Sequence, residues 1–206
     1  DLIALLDGQA VIPVLQIRDV DHAVDLARAL ARGGLRAIEV TLRTTAALES
    51  IRRIAAEVEE AIVGAGTILD PAQFDQAARA GSRFIVSPGV TDSLIAAAAD
   101  SPVPLLPGTA TAGEVMAARE AGLTFLKFFP AEQAGGAPFL KALASPLADV
   151  RFCPTGGISG KNAADYLALP NVVCVGGSWV APDDLVKAGA WDRITELAQQ
   201  AAALKR

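Results

Sequence analysis

Short apolar or β-branched runs alternate along the chain with longer alanine-rich stretches of helical period, and this alternation constrains the fold more than any other feature. Strand, helix and strand in succession are the repeat of a parallel sheet, because parallel neighbours need a crossover long enough to hold a helix. Eight such runs are legible: Ala10–Leu15, Ala37–Thr41, Ala61–Gly64, Phe84–Ser87, Val103–Leu106, Phe125–Phe128, Arg151–Pro154 and Val172–Val175. The intervening segments carry their own punctuation. Asp70-Pro71 reads as an N-cap followed by a first-turn proline, and Thr111 with Glu114 has the spacing of a capping box. Three helical stretches close on glycine before the next strand, at Gly33-Gly34, Gly81 and Gly122. Eight repeats in 206 residues predict one α/β domain over residues 1–206, a small (β/α)8 TIM barrel with a short N-terminal helix. An open doubly wound sheet is the alternative. Against it, Pro13-Val14-Leu15-Gln16-Ile17 stands where a G-x-G-x-x-G turn would follow the first strand.

Composition narrows the function. With 52% hydrophobic residues, a chain of this length builds a full core without metal or disulfide staples. Eighteen Lys and Arg against 23 Asp and Glu leave a net charge of −5, which offers no basic field to nucleic acid. No stretch approaches the ~20 apolar residues of a membrane span. Asp1–Asp7 has neither a basic segment nor a small-residue cleavage site, so a cytoplasmic protein is expected. Cys153 and Cys174 each lie within an apolar run and are expected to be buried thiols without metal-ligand spacing.

In such a barrel the reacting groups project from the C-terminal ends of the strands. The residues there are Glu39, Thr41 and Arg43; Gly64-Ala65-Gly66-Thr67; Ser87-Pro88-Gly89; Pro107-Gly108-Thr109; Lys127; Thr155-Gly156-Gly157; and Gly176-Gly177-Ser178. Lys127 is the sharpest signal. Set within Phe125-Leu126-Lys127-Phe128-Phe129 on an interior strand, its amine is poorly solvated, the pattern of a lysine that attacks a carbonyl to form a Schiff base. Lys141, Lys161, Lys187 and Lys205 stand in polar surroundings and read as surface. Glu39, an acid within Ala37-Ile38-Glu39-Val40, needs a buried partner, and beside a lysine it suits proton transfer. Strand alternation lets Glu39, Thr41 and Arg43 face one cavity, where the Arg43 fork suits a carboxylate. The Gly156-Gly157 and Gly176-Gly177 turns, flanked by Thr155 and Ser178, suit a phosphate held by backbone N–H groups. The only histidine, His22, falls in the first helix and reads as solvated, so metal catalysis has little support.

Six segments in order give these residues a family likeness: Ile38–Thr44, Val63–Thr67, Phe84–Gly89, Lys127–Glu132, Arg151–Gly157 and Gly176–Trp179. Together they resemble the class I aldolases that cleave 2-keto-3-deoxy-6-phosphogluconate (KDPG), over essentially the whole chain. The resemblance implies that Lys127 forms the Schiff base and Glu39 moves protons. Arg43 with Thr67 would hold the pyruvyl carboxylate, Pro88 and Phe129 would line the pocket, and Thr155 would contact the pyruvyl portion. Gly156, Gly157, Gly177 and Ser178 would hold the phosphate of the departing glyceraldehyde 3-phosphate. The expected partners are a 2-keto acid phosphate and pyruvate, with no cofactor and no metal, in a homotrimer. Departures from the family pattern are Thr109, where an apolar residue is expected, and the shortness of the N-terminal helix; neither is expected to touch the chemistry. Related enzymes accept 4-hydroxy-2-oxoglutarate or the galactonate epimer. A non-catalytic trimeric module and an isomerase using Glu39 as base are the readings from other classes.

Overall fold

The computed structural model describes residues 2–6 and 8–204, which leaves Lys205 and the ends of the Asp1–Asp7 segment outside the described residues. Among the described residues there are nine strands: β1 (Val11–Leu15), β2 (Ala37–Thr41), β3 (Ile62–Gly66), β4 (Ile85–Val86), β5 (Leu105–Leu106), β6 (Gly108–Thr109), β7 (Phe125–Phe128), β8 (Arg151–Pro154) and β9 (Val175–Gly177). The helices are α1 (Leu2–Leu5), α2 (Ala23–Arg32), α3 (Ala47–Glu57), α4 (Pro71–Arg79), α5 (Asp92–Ala99), α6 (Ala112–Glu120), α7 (Gly136–Leu143), α8 (Ala163–Leu167), α9 (Asp183–Lys187) and α10 (Trp191–Ala202). None is long and apolar enough to cross a membrane.

Every paired strand is parallel to its neighbour, in a six-stranded sheet ordered β5-β4-β3-β2-β1-β9 and a three-stranded sheet ordered β6-β7-β8. The small sheet meets the large one at both edges. On one side β5 runs into β6 through Pro107, whose carbonyl accepts the Lys127 N–H at 2.9 Å. On the other, isolated bridges join Phe152 to Val172 and Thr155 to Gly176. The parallel array is therefore curled.

Two of the eight runs differ most from expectation. Val103–Leu106 keeps only Leu105–Leu106 as a strand, and a second short strand, Gly108–Thr109, follows it, because Pro107 has no N–H to contribute to a ladder. The last run begins later, at Val175, and takes in Gly176 and Gly177, where the register with Val11, Ile12 and Pro13 forms. Hydrophobicity marked Val172–Cys174 instead, since glycine contributes pairing without a side chain. The helix signals behave as their physics dictates. Asp70 accepts from the Gln73 N–H at 2.8 Å, Thr111 and Glu114 form a reciprocal capping box, and Gly34, Gly81 and Gly122 take positive φ where each helix ends.

The core has two parts. Outward-facing strand residues such as Ile38, Val40, Leu126 and Phe128 pack with the buried faces of the helices. Inward-facing residues, among them Ile12, Ala37, Phe84, Leu106, Phe125 and Cys153, form a second cluster, which Leu2 and Leu6 join. Each fully buried Leu, Ile or Phe contributes roughly 1.5–3 kcal/mol relative to exposure. This inner cluster occupies the N-terminal parts of the strands. Two residues further along β2 and β7 the same face turns polar.

Candidate active site

Period-two alternation carries the inner face of β2 from Ala37 to Glu39 to Thr41, and that of β7 from Phe125 to Lys127 to Phe129 beyond the strand end. Glu39 lies opposite Val14 and Gly64, Lys127 opposite Gly108 and Cys153. The two strands belong to different sheets and are not neighbours. Even so, Lys127 Nζ donates to Glu39 Oε1 at 3.4 Å across the interior, with the residues only 6% and 3% exposed. The pair thus links the sheets, and each charge supplies the partner that the other's burial requires. Gly66 makes room for it, since a β-carbon there would overlap the Glu39 carboxylate. The Lys127 ammonium also lies 5.2 Å from the centroid of the Phe129 ring, within cation–π range.

Above this pair opens a cleft of about 310 Å³. Thr41 and Phe129 line it, each two residues beyond a member of the pair on the same face, so the charged pair sits roughly 6–7 Å deeper. Arg43 also lines it, exposed and in no ion pair among the described residues. Thr41 is tied down by its hydroxyl, which donates to Leu15 O at 2.9 Å.

The far wall is made by the turn after β8 and by the end of β9, where Gly176 and Gly177 are strand residues and not the expected turn, with Ser178 beyond it. Thr155, Gly156, Gly157, Ile158, Gly176, Gly177 and Ser178 all line the cleft. Gly156 and Gly157 have φ of 103° and 76°, in the left-handed region that favours glycine. Among the described residues, the amides of Gly157, Ile158 and Ser178 have no protein acceptor. Unpaired N–H groups on consecutive turns make a concavity suited to an anion. Gly176 must be glycine for packing, because a β-carbon there would overlap the Thr155 side chain.

Of the expected site residues, seven therefore share one cleft: Arg43, Phe129, Thr155, Gly156, Gly157, Gly177 and Ser178. Lys127 and Glu39 form the buried pair below it. Thr67 and Pro88 do not line this cleft. They stand half-buried beyond β3 and β4, with the Pro88 carbonyl packed on Gly108, the residue paired with Lys127. Thr67 is nevertheless conspicuous, a β-branched residue held at φ 59° directly after Gly66, and such a conformation costs on the order of 1–3 kcal/mol.

Other expectations are corrected. Thr109 lies closer to the site than its reading as a bare departure indicates, through main-chain bonds: its hydroxyl donates to the Lys127 carbonyl at 3.2 Å, and its own carbonyl accepts the Phe129 N–H at 3.1 Å. His22 is not simply solvated. It ends a short 3-10 turn, Val20–His22, half-buried and edge-on to Trp191 with ring centroids 5.6 Å apart. Two polar residues of the cleft are absent from the expected set, Gln16 and Asp183. Gln16 could have been found, being the first polar residue past the end of β1; Asp183 carries no local signal. Cys153 and Cys174 are buried, and Lys141, Lys161 and Lys187 are exposed, as expected.

Known proteins resemble this chain along nearly all of its length. A family model, KDPG and KHG aldolase, matches residues 2–197. A 2-dehydro-3-deoxy-phosphogluconate aldolase of Pseudoalteromonas atlantica is 54% identical, over 94% of this chain and 90% of its own. KDPG aldolase from Legionella pneumophila, crystallised with pyruvate captured as a covalent carbinolamine, superposes with a TM-score of 0.95 at 43% identity, covering 100% of this chain and 98% of the other. The enzyme of Zymomonas mobilis with 3-phosphoglycerate gives 0.94 at 48% identity, covering 100% and 97%. The match to the family model spans every strand named above and both Gly-Gly segments, and the chain belongs to the KDPG and KHG aldolase family.

Proposed function

We propose that this protein is a class I aldolase that reversibly cleaves 2-keto-3-deoxy-6-phosphogluconate to pyruvate and D-glyceraldehyde 3-phosphate, and that it also cleaves 4-hydroxy-2-oxoglutarate to pyruvate and glyoxylate. The observation that carries the reading is the Lys127–Glu39 contact of 3.4 Å beneath an arginine-bearing cleft. The six- and three-stranded sheets act as one closed (β/α)8 barrel over residues 1–206, and the site lies at the C-terminal ends of its strands.

The chemistry follows from the residues. Glu39 takes a proton from Lys127, and the freed amine adds to the C2 ketone to give a carbinolamine. Loss of water, with Glu39 returning a proton to the departing hydroxyl, leaves a protonated imine. The C4 hydroxyl then gives its proton to Glu39, directly or through water, while the C3–C4 electron pair flows into the imine. Glyceraldehyde 3-phosphate departs and an enamine remains on Lys127. Protonation at C3 and hydrolysis of the imine release pyruvate and restore the amine. Arg43, with Thr67, holds the pyruvyl carboxylate; Pro88, Phe129 and Thr155 shape the pocket around the imine. Gly156, Gly157, Gly177 and Ser178 hold the phosphate, which favours the phosphorylated substrate over its shorter unphosphorylated analogue.

A homotrimer in the cytoplasm is the working assembly, and the buried thiols of Cys153 and Cys174 suit a reducing compartment. Light scattering coupled to gel filtration tests the assembly. The mechanism is tested by adding pyruvate and borohydride and mapping the adduct by peptide mass spectrometry. One pyruvyl group on Lys127 is expected. No adduct on the folded protein would overturn the imine mechanism in favour of an isomerase or a non-catalytic module. Comparing KDPG with its galactonate epimer decides between the two phosphorylated substrates.

A further inference from the structure

The turn assigned to the phosphate is held from behind by two side chains that the reaction does not use. After β7 the chain runs on beside the end of β8: the Ala131 N–H donates to Thr155 O at 2.8 Å, and the Glu132 N–H donates to Gly156 O at 3.1 Å. The stem of Glu132 lies directly on Gly157, where a β-carbon would stand 2.6 Å from its Cγ and 2.8 Å from its Cβ. The Glu132 carboxylate is in turn fixed by Tyr166, whose hydroxyl donates to Oε1. Tyr166 belongs to α8 and is 1% exposed, so its ring cannot move without disturbing the core. Asn162 Nδ2 also donates to Gly157 O at 3.1 Å, while its Oδ1 accepts the Ser159 N–H at 2.8 Å. Glu132 therefore holds both glycines of the turn, and Asn162 holds Gly157 as well.

We infer that Glu132 and Tyr166 are positioning residues for the phosphate subsite, Tyr166 fixing Glu132 and Glu132 fixing the Gly156–Gly157 turn. Two positive-φ glycines in succession have many accessible conformations, and an amide concavity binds an anion well only when one conformation is held in advance. The same tie keeps the Glu132 charge on Tyr166, where its repulsion of a phosphate is reduced. Burial and the donated bond to Glu132 both hold the Tyr166 phenol above its ordinary range, so it remains a donor throughout the neutral range. This inference rests on the aldolase reading and deepens it, since it names what makes phosphorylated substrates preferred.

The test compares Tyr166→Phe, Glu132→Gln and Glu132→Ala with the unaltered protein. Tyr166→Phe is expected to raise KM for KDPG and Ki for inorganic phosphate about 5–10-fold, with kcat within twofold. Its kcat/KM for 4-hydroxy-2-oxoglutarate and its pyruvate trapping on Lys127 stay unchanged. Glu132→Gln, which keeps the stem and an oxygen acceptor, stays near the unaltered values; Glu132→Ala loses more than Tyr166→Phe. Equal losses on phosphorylated and unphosphorylated substrates in Tyr166→Phe, or no loss on either, would overturn the inference. If Glu132→Ala does not fold, the contrast between Tyr166→Phe and Glu132→Gln still decides. Absence of a Lys127 adduct in the unaltered protein refutes the aldolase reading itself, whereas a normal adduct with no phosphate-specific loss refutes only this inference.

Discussion

The two ends of the cleft are built on different physical plans. At the end proposed to react, Lys127 and Glu39 are side chains on β7 and β2, buried together and held by strand register. At the other end the groups proposed to bind are backbone amides beyond β8 and β9, with Gly157 and Ser178 exposed. Proton transfer and imine formation need specific functional groups in a dry, rigid place, which interior strands provide. Anion recognition needs only N–H groups pointed inward, which every residue but proline possesses and few backbones can aim. Substitutions at the first end should therefore stop chemistry, and substitutions at the second should alter affinity and substrate choice.

The largest effect expected is from Lys127→Ala, which removes the proposed nucleophile. Cleavage of KDPG should fall on the order of 10⁴-fold or more, with the solution mass by light scattering unchanged. Glu39→Gln keeps shape but not the proton acceptor, and a drop in kcat of about 10²–10⁴-fold is expected in steady-state assays, with phosphate inhibition unchanged. A matching rise in Ki for phosphate would erase the distinction between the two ends. Gly157→Ala should act in the opposite sense. The residue has φ 76° and lies on the Glu132 stem, so KM for KDPG should rise more than tenfold while trapping of pyruvate on Lys127 persists. Ser178→Ala, which leaves the backbone amide in place, should cost at most about tenfold in KM for KDPG.

The smallest effect is on stability at alkaline pH. Because the folded state holds the Tyr166 phenol above its ordinary value of 10.0, its contribution is complete below about pH 10 and is lost as pH rises beyond that, where the unfolded chain releases the proton first. Tyr166→Phe should flatten the alkaline limb of a plot of Tm against pH, while Ser178→Ala should leave that limb unchanged. A limb of the same slope in Tyr166→Phe would show that folding does not favour the protonated phenol of Tyr166.

The reacting end was far more legible in the sequence than its surroundings. A lysine between pairs of apolar residues and an acid in an apolar strand both break the expected pattern, and such breaks mark places where burial of charge serves chemistry. The glycine turns were legible as motifs. What steadies them was not, because Tyr166 and Glu132 are 34 residues apart and neither is unusual where it stands. Thr109 shows the same limit: nothing local indicates that its hydroxyl is bonded to the main chain of Lys127, 18 residues away. His22 read as a solvated helix residue because Trp191, its packing partner, lies in the last helix.

Local physical chemistry is enough for much of this protein. The alternation of apolar runs and helical stretches, the caps at Asp70 and Thr111 and the glycine stops specify a parallel α/β chain, because each depends on residues only a few positions apart. Alternation along each strand likewise decides that Glu39 and Lys127 point inward. That they meet is decided elsewhere. β2 and β7 pair with each other in neither sheet, and only the curl that brings the small sheet's two edges to the large one carries Lys127 Nζ to within 3.4 Å of Glu39. Side-chain direction follows from the pleat of a single strand, whereas the distance across the interior depends on how all the strands stagger and close around it.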